Sequence, residues 1–286
     1  MASARRPSYK ENVDAAANLD ALVRLARGGR VTTLTGAGVS TESGIPDYRS
    51  PGAPKTKPVM GPEFARSAKL RQRYWARAMA GWDRFSSAAP NRSHQALAEL
   101  EHRDSIHVLI TQNVDGLHQA AGSVKVVELH GALASVCCLA CGAVEPRTQV
   151  QARMHASNPD WPSALSTMAP DGDAELATEL IARFVAPTCG ACGGPLKPKV
   201  VFFGDNVARE IVDHAYAEVE SAQLLLVAGT SLTVFSGYRF LRRAAERKIP
   251  IAIVNRGAVR GEEHAALKIE ASTGATLAAL EQRLRS

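Results

Sequence analysis

The chain is 286 residues long, with 45% apolar residues, a formal net charge of +6 and a pI of about 9.2. Length and apolar content allow one large domain, or one large and one small, with a packed core. No apolar run approaches the ~18 residues needed to span a bilayer. The arginines are scattered, without a block of about five or six like charges. That pattern speaks for a basic soluble enzyme with anionic ligands and against a nucleic-acid partner.

Residues 12–28 have helical apolar spacing (Val13, Leu19, Leu22, Val23, Leu25), ended by Gly28-Gly29. Val31 to Thr35 is short and β-branched and reads as a buried strand running into a glycine turn. Residues 51–62, rich in proline and glycine, read as a mobile loop, and 63–80 as a helix. Further strands are expected at Ile106–Ile110, Val124–Leu129, Leu224–Ala228, Ile249–Val254 and Leu267–Glu270. Helical patterns separate most of them, which predicts an α/β fold: a Rossmann-like parallel sheet with helices on both faces. From Gly131 to Pro198 the alternation stops, and Cys, Pro, Asp, Gly and Ser dominate. This stretch reads as a small inserted module built on metal rather than on a large core. The expected division is 12–130 with 199–286 as the nucleotide-binding domain and 131–198 as the zinc-binding module. Residues 51–80 contribute to the small domain and the cleft.

Five cysteines in a chain of this length, with no apolar segment of signal-peptide type in residues 1–20, are not a disulfide framework. Four of them form two Cys-x-x-Cys pairs, Cys138/Cys141 and Cys189/Cys192, with Cys137 left over. Two thiolates at that spacing reach one ion from a tight turn, and two such turns complete a tetrahedron. Gly142 follows one pair, and Gly193-Gly194 the other. Four thiolates leave no open position for substrate, so the reading is one structural zinc ion coupled to folding. A redox Cys-x-x-Cys is the alternative, and it leaves the second pair unexplained.

Gly36-Ala37-Gly38-Val39-Ser40 follows the first predicted strand. Glycines there let the backbone approach a pyrophosphate, and the helix N-terminus beyond favours negative charge. Thr41 stands where a full G-x-G-x-x-G would have its last glycine, so an ordinary tight turn remains open.

Taken as a unit, Thr35 to Ser50 closely resembles the signature of the sirtuin family. Thr111 to His118 is similar to a second motif of that family and Glu128-Leu129-His130-Gly131 to a third. Lys197 to Asp205 looks like its substrate strand, and Gly229-Thr230-Ser231-Leu232 and Asn255-Arg256-Gly257 like its cofactor-closing motifs. The resemblance runs from about Ala16 to Leu284, in order, with the cysteine pairs where the family has them. Arg71 to Arg77 with Gly81-Trp82, and Ala169 to Asp173, resemble the class II lineage, which includes a mitochondrial member. The N-terminus has Arg5, Arg6 and Lys10 but turns acidic at Glu11 and Asp14, unlike a transit segment. The expectation is therefore a bacterial relative acting in the cytoplasm.

The resemblance implies an NAD-dependent protein-lysine deacylase whose partners are acylated-lysine proteins or peptides, with no membrane. An acyl-lysine carbonyl oxygen attacks C1′ of the nicotinamide ribose and nicotinamide leaves. His130 is then the general base for the ribose hydroxyls, a role that suits imidazole near neutral pH. A lone histidine is otherwise a structural one, and His94, His107 and His118 keep that reading; His118 would hold its loop by hydrogen bonding. Asn113 and Asp115 would line the nicotinamide pocket and Gln112 contact the ribose. Gly36, Ala37, Gly38 and Ser40 would meet the pyrophosphate and ribose, with Asp47 and Arg49 nearby. Tyr48 stands where many relatives carry Phe. Gly229, Thr230, Ser231, Asn255, Arg256, Gly257 and Thr273 would close around the adenosine. Val201, Phe202 and Phe203 would form an edge to which an extended peptide adds as a strand, although an ordinary core strand is compatible with the same residues. Tyr74 and Arg77, three apart on a helix, share a face. A Tyr-x-x-Arg pair also marks sirtuins that remove acidic acyl groups, so Arg77 is a candidate clamp for an acyl carboxylate; a solvated arginine beside a packed tyrosine is the alternative.

Of three competing functions, the sequence speaks against two and hardly separates the first from deacylation. Mono-ADP-ribosyl transfer to protein shares the NAD site and the first bond cleavage. A zinc-dependent nucleic-acid module needs clustered basic and aromatic residues, and only 5% of the chain is aromatic. A hydride-transferring dehydrogenase has no use for His130 beside a structural zinc.

Overall fold

The computed structural model describes residues 9–48, 58–161 and 178–285. Its main sheet uses β1 (Val31–Thr35), β2 (Ile106–Thr111), β3 (Val126–Glu128) and three strands from the C-terminal third. A second, antiparallel sheet is built from β4 (Gly131–Cys138), β5 (Val144–Pro146) and β6 (Leu196–Val200), in the order β5-β4-β6. With β7 (Leu224–Ala228), β8 (Ile251–Val254) and β9 (Leu267–Ile269) the main sheet runs β3-β2-β1-β7-β8-β9, and every pairing in it is parallel.

The helices are α1 (Tyr9–Ala26), α2 (Gly61–Arg66), α3 (Ala68–Ser86), α4 (Arg92–His102), α5 (Leu117–Ala120), α6 (Arg147–Ser157), α7 (Thr178–Arg183), α8 (Arg209–Glu220), α9 (Phe235–Glu246) and α10 (Thr273–Leu284). The central strands are apolar throughout because both their faces are covered. In β7, Leu224, Leu226 and Ala228 point into one core layer, with Leu22 of α1, Leu97 of α4 and Leu277 of α10. Leu225 and Val227 point into the other, with Ala215 of α8 and Phe240 and Leu241 of α9. This is the expected Rossmann-like arrangement, and all six predicted strands are present. β1 and β7 keep their predicted bounds, β2 gains Thr111, and the other three are trimmed: β3 starts two residues late, past Val124, which is 80% exposed.

Two stretches differ from the sequence reading. Residues 63–80 are not one helix: Ser67 breaks it with extended backbone (φ −104°, ψ 109°) and caps α3 by accepting from Leu70 N at 3.1 Å. The expected mobile loop lies largely outside the described residues, as does the Ala169 to Asp173 motif. The described part of the cysteine-rich stretch has its own sheet and a core shared with α2 and α3. Phe64, Tyr74, Trp75 and Met79 of α2 and α3 pack on Val136, Met154 and Leu196 and on Cys138 and Cys189 themselves. Arg147 is buried against Trp75 and Trp82, its guanidinium carbon 5.4 and 4.5 Å from their ring centres. It donates to Ala78 O and Gln151, so the buried charge has partners.

Candidate active site and metal centre

Strand order reverses between β1 and β7, and in an open parallel sheet the crevice at such a point is where ligands bind. Here the chain leaving β1 makes a 3-10 turn, Ala37–Val39, and crosses the end of β7 at backbone contact. Gly38 N donates to Gly229 O at 2.8 Å, and a Cβ on Gly38 would sit 2.8 Å from that same oxygen. Gly36 is equally tight against Thr230. The predicted glycine turn is therefore a close crossing of two strand ends, with Ala37 at its tip. Gln112 follows β2 and ties the two sides together, donating to Thr35 O at 3.1 Å and Thr230 Oγ1 at 3.0 Å.

Below the turn lies a buried polar network. Ser40 donates to Asp115 Oδ2 at 2.7 Å and accepts from Asn113 Nδ2 at 3.0 Å. Asp115 Oδ1 takes the Leu117 N–H at 2.9 Å, which starts α5. Ser40, Asn113 and Asp115 are thus brought together through the Ser40 hydroxyl. His94 and His118 back this group, their rings 4.8 Å apart and edge-to-face. His118 Nε2 lies 3.0 Å from Thr35 Oγ1 and His94 Nε2 3.4 Å from Ser40 Oγ. Burial, helped by His94, pushes His118 down to about 3. Burial also lowers His94, against the pull of Asp115. Both rings are therefore neutral at physiological pH.

His130 follows β3 at the rim of the crevice and is half-buried. Its Nδ1 is 2.8 Å from the Gln112 carbonyl and its Nε2 2.8 Å from Ser236 Oγ. Burial lowers its pKa; the Gln112 carbonyl opposes this, and the positive charge of Arg239 adds to it. A neutral imidazole with one accepting nitrogen is a competent proton acceptor. Ser236 and Arg239, in the first turns of α9, escaped the sequence analysis. The signal was faint: a Ser-Gly pair soon after Gly229 to Leu232.

The other candidates disperse around the crevice. Asp47 is partly exposed and Tyr48 is 45% exposed, while Arg49 lies outside the described residues. Ser231 Oγ is 3.1 Å from Thr233 Oγ1. Asn255, past β8, folds its amide back to Arg256 O at 2.8 Å and to Gly257 O at 3.3 Å. Thr273 opens α10, with its hydroxyl 3.0 Å from Ser93 Oγ. Strand β6 stops at Val200, short of the expected edge strand. Val201 N reaches His130 O at 2.9 Å, and Phe203 O already accepts from Gly61 N at 2.9 Å. Phe202 packs against Phe64 and Tyr74, and Phe203 is 42% exposed. Tyr74 is core, edge-on to Phe64 and Trp75; Arg77, one turn on, is half-buried.

The four paired cysteines converge. All four Sγ atoms lie within 4.8 Å of one another, with Cys138 3.5 Å from Cys192 and Cys141 3.8 Å from Cys189. A tetrahedron with Zn–S bonds of about 2.3 Å has edges of about 3.8 Å. The turn N–H groups of Ala140 and Cys141 point at Cys138 Sγ, and those of Ala191 and Gly194 at Cys189 and Cys192. The donated N–H of Cys141 leads the effects that bring Cys138 down to about 6. Gly194 N lowers Cys192, but the neighbouring thiols Cys141 and Cys138 outweigh it and push it up to about 12. Four thiols so placed compete for protons, and a dication removes that conflict. The cluster is positioned to bind one zinc ion. Cys137 pairs across β4 with Val144 and Lys197, on the opposite sheet face from Cys138, and is not part of it.

With this geometry in view, the match to known proteins is informative. The model of the Sir2 family matches residues 36–236, from the glycine turn to Ser236. The chain belongs to the Sir2 family. It is 49% identical over 255 residues to an NAD-dependent protein deacetylase of Xanthomonas campestris pv. campestris, covering 88% of this chain and 87% of that one. It is 47% identical over 259 residues to the mitochondrial NAD-dependent protein lipoamidase sirtuin-4 of Bos taurus, covering 89% and 82%. A solved Sir2 with a p53 peptide and NAD+ superposes with a TM-score of 0.72 at 28% identity, covering 93% and 96%. Among the described residues of this Sir2 chain, no helix is long and apolar enough to cross a membrane.

Two outcomes are expected. Cys138→Ser should lose bound zinc, measured by atomic emission, and melt several degrees lower, whereas Cys137→Ser should keep both. His118 is neutral when folded and titrates near 6.5 when unfolded. Its stability contribution is complete above pH ~6.5 and is lost by roughly 1.4 kcal/mol per unit as pH falls toward 3. Urea unfolding at pH 7.5 and 5.5 should show that loss, and His118→Gln should show less of it.

Proposed function

We propose that the protein is an NAD-dependent protein-lysine deacylase that transfers the acyl group of a modified lysine to ADP-ribose, releasing nicotinamide and O-acyl-ADP-ribose. The observation that carries it is His130, neutral and held at both ring nitrogens, at the mouth of a crevice whose floor is a glycine crossing. NAD supplies the electrophilic ribose carbon when bound. The chain's own residues then do the following. The turn Gly36-Ala37-Gly38, held against Thr230 and Gly229, presents its backbone to a pyrophosphate. Asp115 uses one lone pair of each oxygen on Ser40 and Leu117, and keeps acceptor capacity for a carboxamide N–H. Asn113 and Gln112 present amides to the same region. Ser231, Asn255, Arg256, Gly257 and Thr273, at the ends of β7, β8 and β9, flank the adenosine side. His130 receives a proton from a ribose hydroxyl.

The zinc site is closed by four thiolates, so its role is to hold the small sheet and not to touch substrate. On this reading 12–130 and 199–286 bind NAD, 131–198 form the zinc-binding module, and 51–80 border the cleft. The peptide lies along Val201 to Phe203 by backbone pairing. The relatives are named deacetylase and lipoamidase, which supports deacylation over ADP-ribosyl transfer. A bacterial setting accords with the Xanthomonas relative.

Nicotinamide release from a panel of acetyl-, lipoyl- and glutaryl-lysine peptides tests the reading. His130→Ala should lower turnover by about 10²-fold or more while zinc content is unchanged. Near-normal turnover would sink the mechanism. If Arg77 clamps an acyl carboxylate, Arg77→Ala should cost glutaryl-lysine activity at least tenfold more than acetyl-lysine activity; equal losses would rule the clamp out.

A further inference from the structure

The hydrogen bonds at His130 fix more than its place. The Gln112 carbonyl only accepts, so Nδ1, 2.8 Å away, carries the ring proton. The Nε2 of the neutral ring is then a lone pair. Ser236 Oγ, 2.8 Å from it, must donate. The nitrogen that would take a proton from substrate is therefore already engaged by a hydroxyl of the protein.

This contact is built in. Ser236 stands in the first turn of α9, after the extended Val234 that caps the helix. A Cβ on the next residue, Gly237, would overlap the Gln112 side-chain amide. The bare glycine lets α9 press onto Gln112, the residue whose carbonyl holds the other end of the imidazole. Gln112 is itself pinned to Thr35 and Thr230 on both sides of the glycine crossing. One turn along α9, Arg239 puts a positive charge near the ring, and its Nε is buried with no hydrogen-bond partner among the described residues. That charge works against ring protonation, so it favours the same lone pair.

We propose that Ser236 is a positioning residue for His130: its hydroxyl donates to Nε2, holds the ring's orientation while the Gln112 carbonyl keeps the proton on Nδ1, and stands in for the substrate hydroxyl that displaces it. The exchange is one hydroxyl donor for another at the same lone pair, so no bond to the ring is lost when the substrate arrives. The proton that His130 then accepts comes from the substrate, and the Ser236 proton stays on its own oxygen. This rests on the reading of His130 as the general base.

The test uses the full chain with 15N-labelled histidine and no NAD. Long-range 1H–15N spectra, with His130 assigned by comparison with His130→Asn, should show a protonated Nδ1 and an Nε2 resonance shifted by an accepted hydrogen bond. In Ser236→Ala that resonance should move to the position of a free lone pair, while the Gln112 carbonyl keeps Nδ1 protonated. Ser236→Thr, which keeps the hydroxyl, should restore the wild-type pattern. Turnover should fall about tenfold in Ser236→Ala, as a loosened catalytic group does, with KM for NAD little changed, and recover in Ser236→Thr. Zinc content and melting temperature, measured alongside, report folding. An Nε2 resonance that does not move, or turnover that does not fall, overturns the proposal. Failure of the general-base reading looks different, because His130→Ala would then remain active.

Discussion

The structure depends on one close approach, the crossing of the β1 turn over the end of β7. The Gly38 N–H meets the Gly229 carbonyl at 2.8 Å, with no space for a side chain on Gly38. Parallel neighbours that diverge in chain direction leave a gap at their carboxyl ends. The crossing closes the floor of that gap with bare backbone. Everything with chemical capacity is hung around it. Gln112 bridges its two sides, and the Gln112 carbonyl sets the His130 imidazole. A bulky residue at this crossing would displace the glycine turn, the Gln112 bridge and the His130 ring together.

The second constraint is the metal cluster, which has two jobs. It ends β4 and precedes β6, so it fixes the small sheet from one side. The other side is held by apolar packing: Trp75 buries its ring and donates its indole N–H to Leu196 O at 3.1 Å. The small module is thus tied by thiolates at its tip and by α3 at its base. Val201 N bonds to His130 O just past β6, so the placement of this module is also the placement of the His130 backbone.

The three histidines of the site illustrate how environment divides one residue type. His94 and His118 sit behind the Ser40, Asn113 and Asp115 network, where burial keeps them neutral and confines them to hydrogen bonding. His130 is lowered by burial too, but it stands at the rim, with a hydroxyl on its accepting nitrogen. Position relative to solvent, and not pKa alone, separates the two enclosed rings from the one at the rim.

Much of this was legible in the amino-acid order. Continuous apolar runs such as Leu224 to Ala228 specify strands covered on both faces, since alternate residues must enter different core layers. The Cys-x-x-Cys spacing specifies a metal knuckle because the ligand geometry is local to four residues. What only the tertiary structure decided depends on contacts distant in sequence. The break at Ser67, a local cap on Leu70 N, leaves no trace in the periodicity over 63–80, and α2 and α3 on either side of it share one core with the small sheet. The end of β6 at Val200 is set by Phe203 bonding to Gly61, far away in the chain. Ser236 lies 106 residues from His130, and a single serine carries no pattern. Spacing reveals what neighbours along the chain can do together; which remote side chains share a hydrogen bond is fixed only when the sheet and its helices close around one crevice.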